Sequence, residues 1–215
     1  MFLPGPQNEA QAVDDVMKFI VGADLILFAL VVGAMLLFVF KYNKKRHPRA
    51  VNVHGNVPLE IAWTVIPVIL VMFMFVVGWK AYIQTRVVPK DAMPVKVTAR
   101  QWNWSFQYEN GKQSDTLYLP VGQPVKFLMT SLDVIHGFYL PDFREKQDVL
   151  PDRVTYLVLY PEQLGTYEIT CSKYCGLHHA LMATRLIVEP KDVFDKWVNA
   201  GVKSEEVAEK TNGNP

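Results

Sequence analysis

With 215 residues, 22 basic against 21 acidic side chains and a half-hydrophobic composition, the chain has no basic stripe of the kind that grips nucleic acid. Its length allows one or two domains. The near-neutral average hides two unlike parts: residues 19–40 and 61–79 are strongly apolar and almost uncharged, whereas residues 91–215 are an ordinary soluble mixture of 16 acidic and 13 basic side chains, net −3.

Residues 1–16 are polar and carry Glu9, Asp14 and Asp15. They lack the positive segment and small-residue cleavage site of a secretory signal. Phe19–Phe40 is 22 residues long, enough to cross the hydrocarbon core of a bilayer as a helix. Its one charge, Asp24, is placed at headgroup level near the outer end. Five basic side chains follow in Lys41–Arg49, which puts this loop on the inner side. The second span is Ile61–Trp79, with Pro58 and Glu60 leading in and Trp63 and Trp79 near its two ends as interfacial anchors. Pro67 lies within it, as membrane helices tolerate. Two spans return the chain to its starting side, so the N-terminus and everything after the 86–94 linker are expected outside. Residues 1–90 thus read as a membrane anchor in direct contact with lipid.

From residue 95 the pattern changes to period two. Val95–Tyr108 reads as one strand ending at the turn Glu109-Asn110-Gly111. Within it Trp102 and Trp104 are two apart, which would put both on one face. Further strands are expected at Thr116–Leu119, Val125–Thr130, Val154–Tyr160, Tyr167–Thr170 and Thr184–Val188. Many short strands between turn residues predict an all-β sandwich or barrel over residues 91–200. Lys191–Ala200 predicts a short amphipathic helix, and residues 201–215 a polar tail.

Cys171-Ser-Lys-Tyr-Cys175-Gly-Leu-His178-His179-Ala-Leu-Met182 holds the chain's only two cysteines and two of its five histidines. Thiolate, imidazole and thioether are soft ligands, and together they favour copper. Zinc also takes Cys and His, but methionine suits it poorly. A disulfide between two cysteines this close would constrain little of the unfolded chain. It would also leave His179 and Met182 without a role. Two cysteines in one loop leave room for a second metal.

This loop resembles the binuclear copper (CuA) loop of subunit II of the haem–copper oxidases. Asp133-Val-Ile-His136 resembles the family's upstream histidine segment, and Gln101-Trp102-Asn103-Trp104 its aromatic segment. The likeness extends over nearly the whole chain, in the same order. It implies a two-helix transmembrane hairpin followed by a cupredoxin-like Greek-key β-sandwich. It implies two copper ions bridged by Cys171 and Cys175 and capped by His136 and His179. Met182 would be a weak ligand, and the backbone carbonyl of Lys173 would complete the set. His178 would face a partner or solvent, and Met129 would pack in the core. Trp102 would receive electrons from a c-type cytochrome, and Glu60 would mark the mouth of a proton pathway.

The implied partners are a catalytic subunit I, holding the haems and a third copper (CuB), and further oxidase subunits in a bacterial inner membrane. The implied reaction is oxygen reduction coupled to proton pumping. A related nitric oxide reductase is the alternative, since it can use the same copper module. A quinol oxidase subunit would lack these ligands, and a copper-delivery protein would need neither the tryptophans nor Glu60. Lys173 departs from the family pattern, in which a glutamate helps to hold magnesium. Lysine has no acceptor oxygen, so no magnesium is expected beside it.

Overall fold

The computed structural model describes residues 8–49, 51, 52, 54–84 and 86–200. The chain divides into two compact units, one of them Ala12–Ile83 and the other containing everything from Gln84 onward. Helix α1 (Asn8–Lys41) has 34 residues and helix α2 (Val57–Gln84) has 28. Their most apolar stretches reach mean hydropathies of 2.7 and 2.5, and both helices are long and apolar enough to cross a membrane. Each runs beyond the predicted span, 19–40 or 61–79. Hydropathy marks only what lipid must cover, whereas helical hydrogen bonding continues through flanking polar turns. The Asn43 side chain closes α1, accepting from the N–H groups of Lys45 and Arg46 at 3.0 and 3.1 Å and donating to the Phe40 carbonyl at 2.8 Å. Asn56 opens α2 by accepting from the Leu59 N–H at 3.2 Å.

The second unit is a sandwich of two five-stranded sheets. One sheet is built from β1 (Met93–Arg100), β2 (Asn103–Tyr108), β3 (Gln113–Ser114), β5 (Val125–Ser131) and β8 (Thr155–Leu159), in the order β3-β2-β1-β5-β8. The other contains β4 (Leu117–Pro120), β6 (His136–Leu140), β7 (Glu145–Val149), β9 (Gly165–Cys171) and β10 (Ala183–Glu189), in the order β4-β10-β9-β6-β7. β1 pairs with β5 and β4 with β10 in parallel, and every other pair is antiparallel. Inward side chains alternate as period two demands. Val95, Val97, Phe106, Phe127 and Met129 from one sheet meet Leu117, Phe138, Ile169 and Leu186 from the other.

Helix α3 (Lys191–Asn199) packs against the end that carries the 109–112 turn. There Trp197 stacks on Tyr118 at 4.2 Å, and Asn110 Nδ2 donates to the Val198 carbonyl at 2.8 Å. The opposite end of the β1–β2 hairpin carries Gln101 and Trp102. The tail, residues 201–215, lies outside the described residues.

Two expectations are corrected. Val95–Tyr108 is two strands, not one: Arg100 pairs with Asn103, so Gln101 and Trp102 form a two-residue hairpin turn. Trp102 and Trp104 therefore do not share a strand face. Trp104 points into the core, and Trp102 caps the end of the hairpin. β6 and β7 were not expected as strands. β6 hides its period because four of its five residues are buried. β7, Glu-Lys-Gln-Asp-Val, is a sheet edge whose charged residues guard it against further pairing.

Phe138 ties the core to the loop beyond β9. It is fully buried, pairs in register with Cys171, and its ring lies 5.3, 5.5 and 6.3 Å from those of Trp104, Phe127 and Phe106. Phe138→Ala should destabilise the β unit by ~3–5 kcal/mol, read by thermal unfolding of the chain. A cost below ~1 kcal/mol would show that this cluster does not carry the core.

Candidate metal centre

Three segments meet at the Trp102 end of the sandwich: the 131–136 stretch entering β6, the 171–182 loop joining β9 to β10, and the β1–β2 turn. The loop is held from both sides. The Ser172 N–H donates to the Gly137 carbonyl at 2.9 Å, and the Cys171 N–H to the Met182 carbonyl at 3.1 Å. A Cβ on Gly137 would run into the Ser172 hydroxyl and stand 3.2 Å from the Lys173 nitrogen, so the close crossing of loop over strand requires glycine. A 3-10 turn at His179–Leu181 then brings His179 and Met182 back toward the cysteines.

Both cysteines are free and buried, with their sulfurs 3.8 Å apart. His136 Nδ1 stands 3.9 Å from Cys171 Sγ, and the Lys173 carbonyl oxygen 3.2 Å from it. His179 Nδ1 stands 3.6 Å and Met182 Sδ 3.8 Å from Cys175 Sγ. Ligands ~2.1–2.3 Å from one ion at tetrahedral angles sit about 3.5–3.8 Å apart. The sulfur–sulfur, Cys175–His179 and Cys175–Met182 separations fall in that range, and those of Cys171 to His136 and to the Lys173 carbonyl lie just outside it, so the set is compatible with shared metals. The set is two-ended, with two sulfurs at its centre and an imidazole beside each. All six predicted donors thus come together. Among the described residues, His136, Cys171 and Cys175 form the compact trio, with donor atoms within 4.8 Å of one another. Burial, followed by the neighbouring Cys171 thiol, pushes the Cys175 thiol up to about 11. The pocket therefore disfavours a bare thiolate, and a cation in place of the proton removes that cost.

Asp133, the first residue of the Asp133-Val-Ile-His136 segment, orients that segment's histidine. Its Oδ1 lies 2.8 Å from His136 Nε2, which leaves Nδ1 free to face Cys171. Burial alone would raise its pKa. Hydrogen bonds from the Gln101 N–H at 2.7 Å, from His136 and from the Val134 N–H at 2.6 Å outweigh burial and hold the carboxyl at about 2. Asp133, three residues before His136 and next to a loop, is the sequence signal that could have pointed to this partner.

The Trp102 indole lies over the backbone at Gly176, and His178 meets it edge-on at 4.5 Å. His178 is exposed and stands apart from the donors. The Lys173 side chain turns away from the sulfurs to pair with Asp148 at 3.3 Å. An ammonium has no acceptor oxygen, so the Lys173 side chain cannot itself ligate a magnesium ion. Glu60 belongs to the helical unit, in the first turn of α2, where an acid suits the helix N-terminus.

Residues 4–80 match the family described as "Cytochrome C oxidase subunit II, transmembrane domain", and residues 111–190 match "Cytochrome C oxidase subunit II, periplasmic domain". The chain is similar to "Cytochrome c oxidase subunit 2" of Alkalihalophilus pseudofirmus, at 34% identity over 96% of this chain and 62% of the relative. It is similar to "Probable cytochrome c oxidase subunit 2" of Rickettsia bellii, at 30% identity over 79% of this chain and 72% of the relative. Its β unit is similar to the crystal structure of the periplasmic domain of subunit II of cytochrome oxidase of Bradyrhizobium japonicum. That likeness has a TM-score of 0.51 and 30% identity, and covers 55% of this chain and 99% of that one. Two apolar helices leading into a cupredoxin-like sandwich, and matches over both, agree: the chain belongs to the subunit II family of the cytochrome c oxidases.

Proposed function

We propose that this chain takes electrons from a c-type cytochrome at a copper pair and hands them to haem in catalytic subunit I, which reduces oxygen and pumps protons. The observation that supports this most is the two-ended set of six donors around two free, buried thiols 3.8 Å apart. When bound, a copper pair there supplies a one-electron store whose charge is spread over two metals. The chain does the rest. Cys171 and Cys175 would hold both ions, His136 and His179 one each, and Met182 and the Lys173 carbonyl would complete the set. Asp133 fixes the His136 ring, and the sandwich keeps the donors in place whether or not an electron is present.

The rim of the site suits docking. Tyr174 and Leu177 are 83% and 84% exposed, and Leu132 and Leu181 are also exposed. Large apolar side chains displayed together on loops mark a protein–protein surface. Trp102, which lies against Gly176 and meets His178 edge-on, is the group on which a donor's electron would arrive.

The proposed orientation has the N-terminus and the β unit outside and the Lys41–Arg49 loop inside, on the strength of its five basic residues. Protease added to sealed right-side-out vesicles should cut within residues 91–200 and spare the loop. Cutting of those residues only from the inner side would contradict the orientation.

Trp102→Gln in the copper-loaded chain should slow reduction by the c-type cytochrome roughly a hundredfold or more. The copper spectrum and fold should survive, because Trp102 is only half-buried and packs against the edge of the core from the hairpin turn, unlike the fully buried Trp104. A normal rate would remove Trp102 from the path. Loss of copper together with fold would reduce it to a packing residue.

A further inference from the structure

We propose that Gln101 is a positioning residue for electron transfer: its side-chain amide fastens the turn carrying Trp102 to the peptide behind Cys175, so that indole and donor loop move as one body. The inference rests on the function proposed above. Gln101 Nε2 donates to the Cys175 carbonyl oxygen at 2.6 Å, joining residues 74 apart in sequence. The Gln101 backbone N–H donates to Asp133 Oδ2 at 2.7 Å, and Asp133 Oδ1 lies 2.8 Å from His136 Nε2. An unbroken line of hydrogen bonds therefore runs from His136 through Asp133 and Gln101 to Cys175. It links a nitrogen donor on one loop to a sulfur donor on another, and it passes through the turn on which Trp102 sits.

The surrounding contacts show why the amide matters. Trp102 Nε1 is buried with no hydrogen-bond partner, so no polar contact of its own fixes the ring. What holds the indole is its fit against the loop. Gly176 adopts φ +120°, and a Cβ there would stand 3.0 Å from Gln101 Nε2 and 3.3 Å from Trp102 Cζ2. The loop backbone thus lies directly against both the amide and the indole. Release of the Gln101 bond frees the only side-chain hydrogen bond found between this turn and the 171–182 loop among the described residues.

The test uses the full chain in detergent. Gln101→Met keeps length and volume but removes the donor, and Gln101→His restores a ring N–H. In the metal-free chain, amide hydrogen exchange across residues 172–181 should run about three- to tenfold faster in Gln101→Met, the effect of losing one neutral hydrogen bond. β1, β5 and β10 should keep wild-type exchange. In the copper-loaded chain, reduction by a c-type cytochrome should slow by a similar factor with copper stoichiometry unchanged. Gln101→His should recover most of both effects. Unchanged loop exchange, or exchange raised evenly through all strands, overturns the clamp. Faster loop exchange with an unchanged reduction rate leaves a structural tie only and overturns the positioning role. A wild-type chain that takes up no copper pair overturns the proposed function and this role with it, while the exchange result still reports separately on the tie.

Discussion

Two thiols 3.8 Å apart, buried at the end of β9 and unbonded to each other, are the constraint on which the rest of the β unit depends. Left as thiols they can offer the Lys173 carbonyl and the two imidazoles only weak S–H hydrogen bonds. Deprotonated without a cation, they would be costlier still, since burial and mutual repulsion both oppose a thiolate there. The neighbouring features resolve this conflict by preparing a place for positive charge. His136 is turned by Asp133, Gly137 lets the loop cross close over β6, and the 3-10 turn returns His179 and Met182 to Cys175.

Rigidity comes from where the donors are anchored. His136 opens β6, Cys171 closes β9, and Met182 stands immediately before β10, three adjacent strands of one sheet. Phe138, across from Cys171, roots that sheet in the aromatic cluster of the core. Donors set on strands and locked by a second layer of hydrogen bonds shift little when charge changes. The apolar rim has the opposite character. Leu177 and Tyr174 contribute nothing to the core and are displayed on the loop itself.

The candidate donors can be named from the sequence because their chemistry is local. Five of the six fall within twelve residues, one of them the carbonyl of Lys173, which needs no particular side chain. His136 needed the Asp133-Val-Ile-His136 segment to be found, and only folding shows that β6 and β9 lie side by side. The apolar spans were equally plain, apart from their ends, where hydropathy stops before the helix does. The turn at Gln101–Trp102 was not legible. Val95–Tyr108 alternates on both sides of it, and nothing but strand register distinguishes a long strand from a tight hairpin. The charged edge strand β7 escaped for a related reason: its residues are chosen for solvent, not for period. The roles of Asp133 and Gln101 escaped because they rest on contacts between loops far apart in sequence.

In the function proposed here, these donors hold two coppers as one unit. The most direct measurement is the copper content and electron-spin hyperfine pattern of the full chain after reconstitution in detergent, with zinc offered in competition. Two coppers per chain and one unpaired electron shared equally between them are expected, with the pattern unchanged in Lys173→Ala, where only the carbonyl would be used. A single copper per chain, an electron confined to one metal, or zinc retained in preference to copper would contradict it.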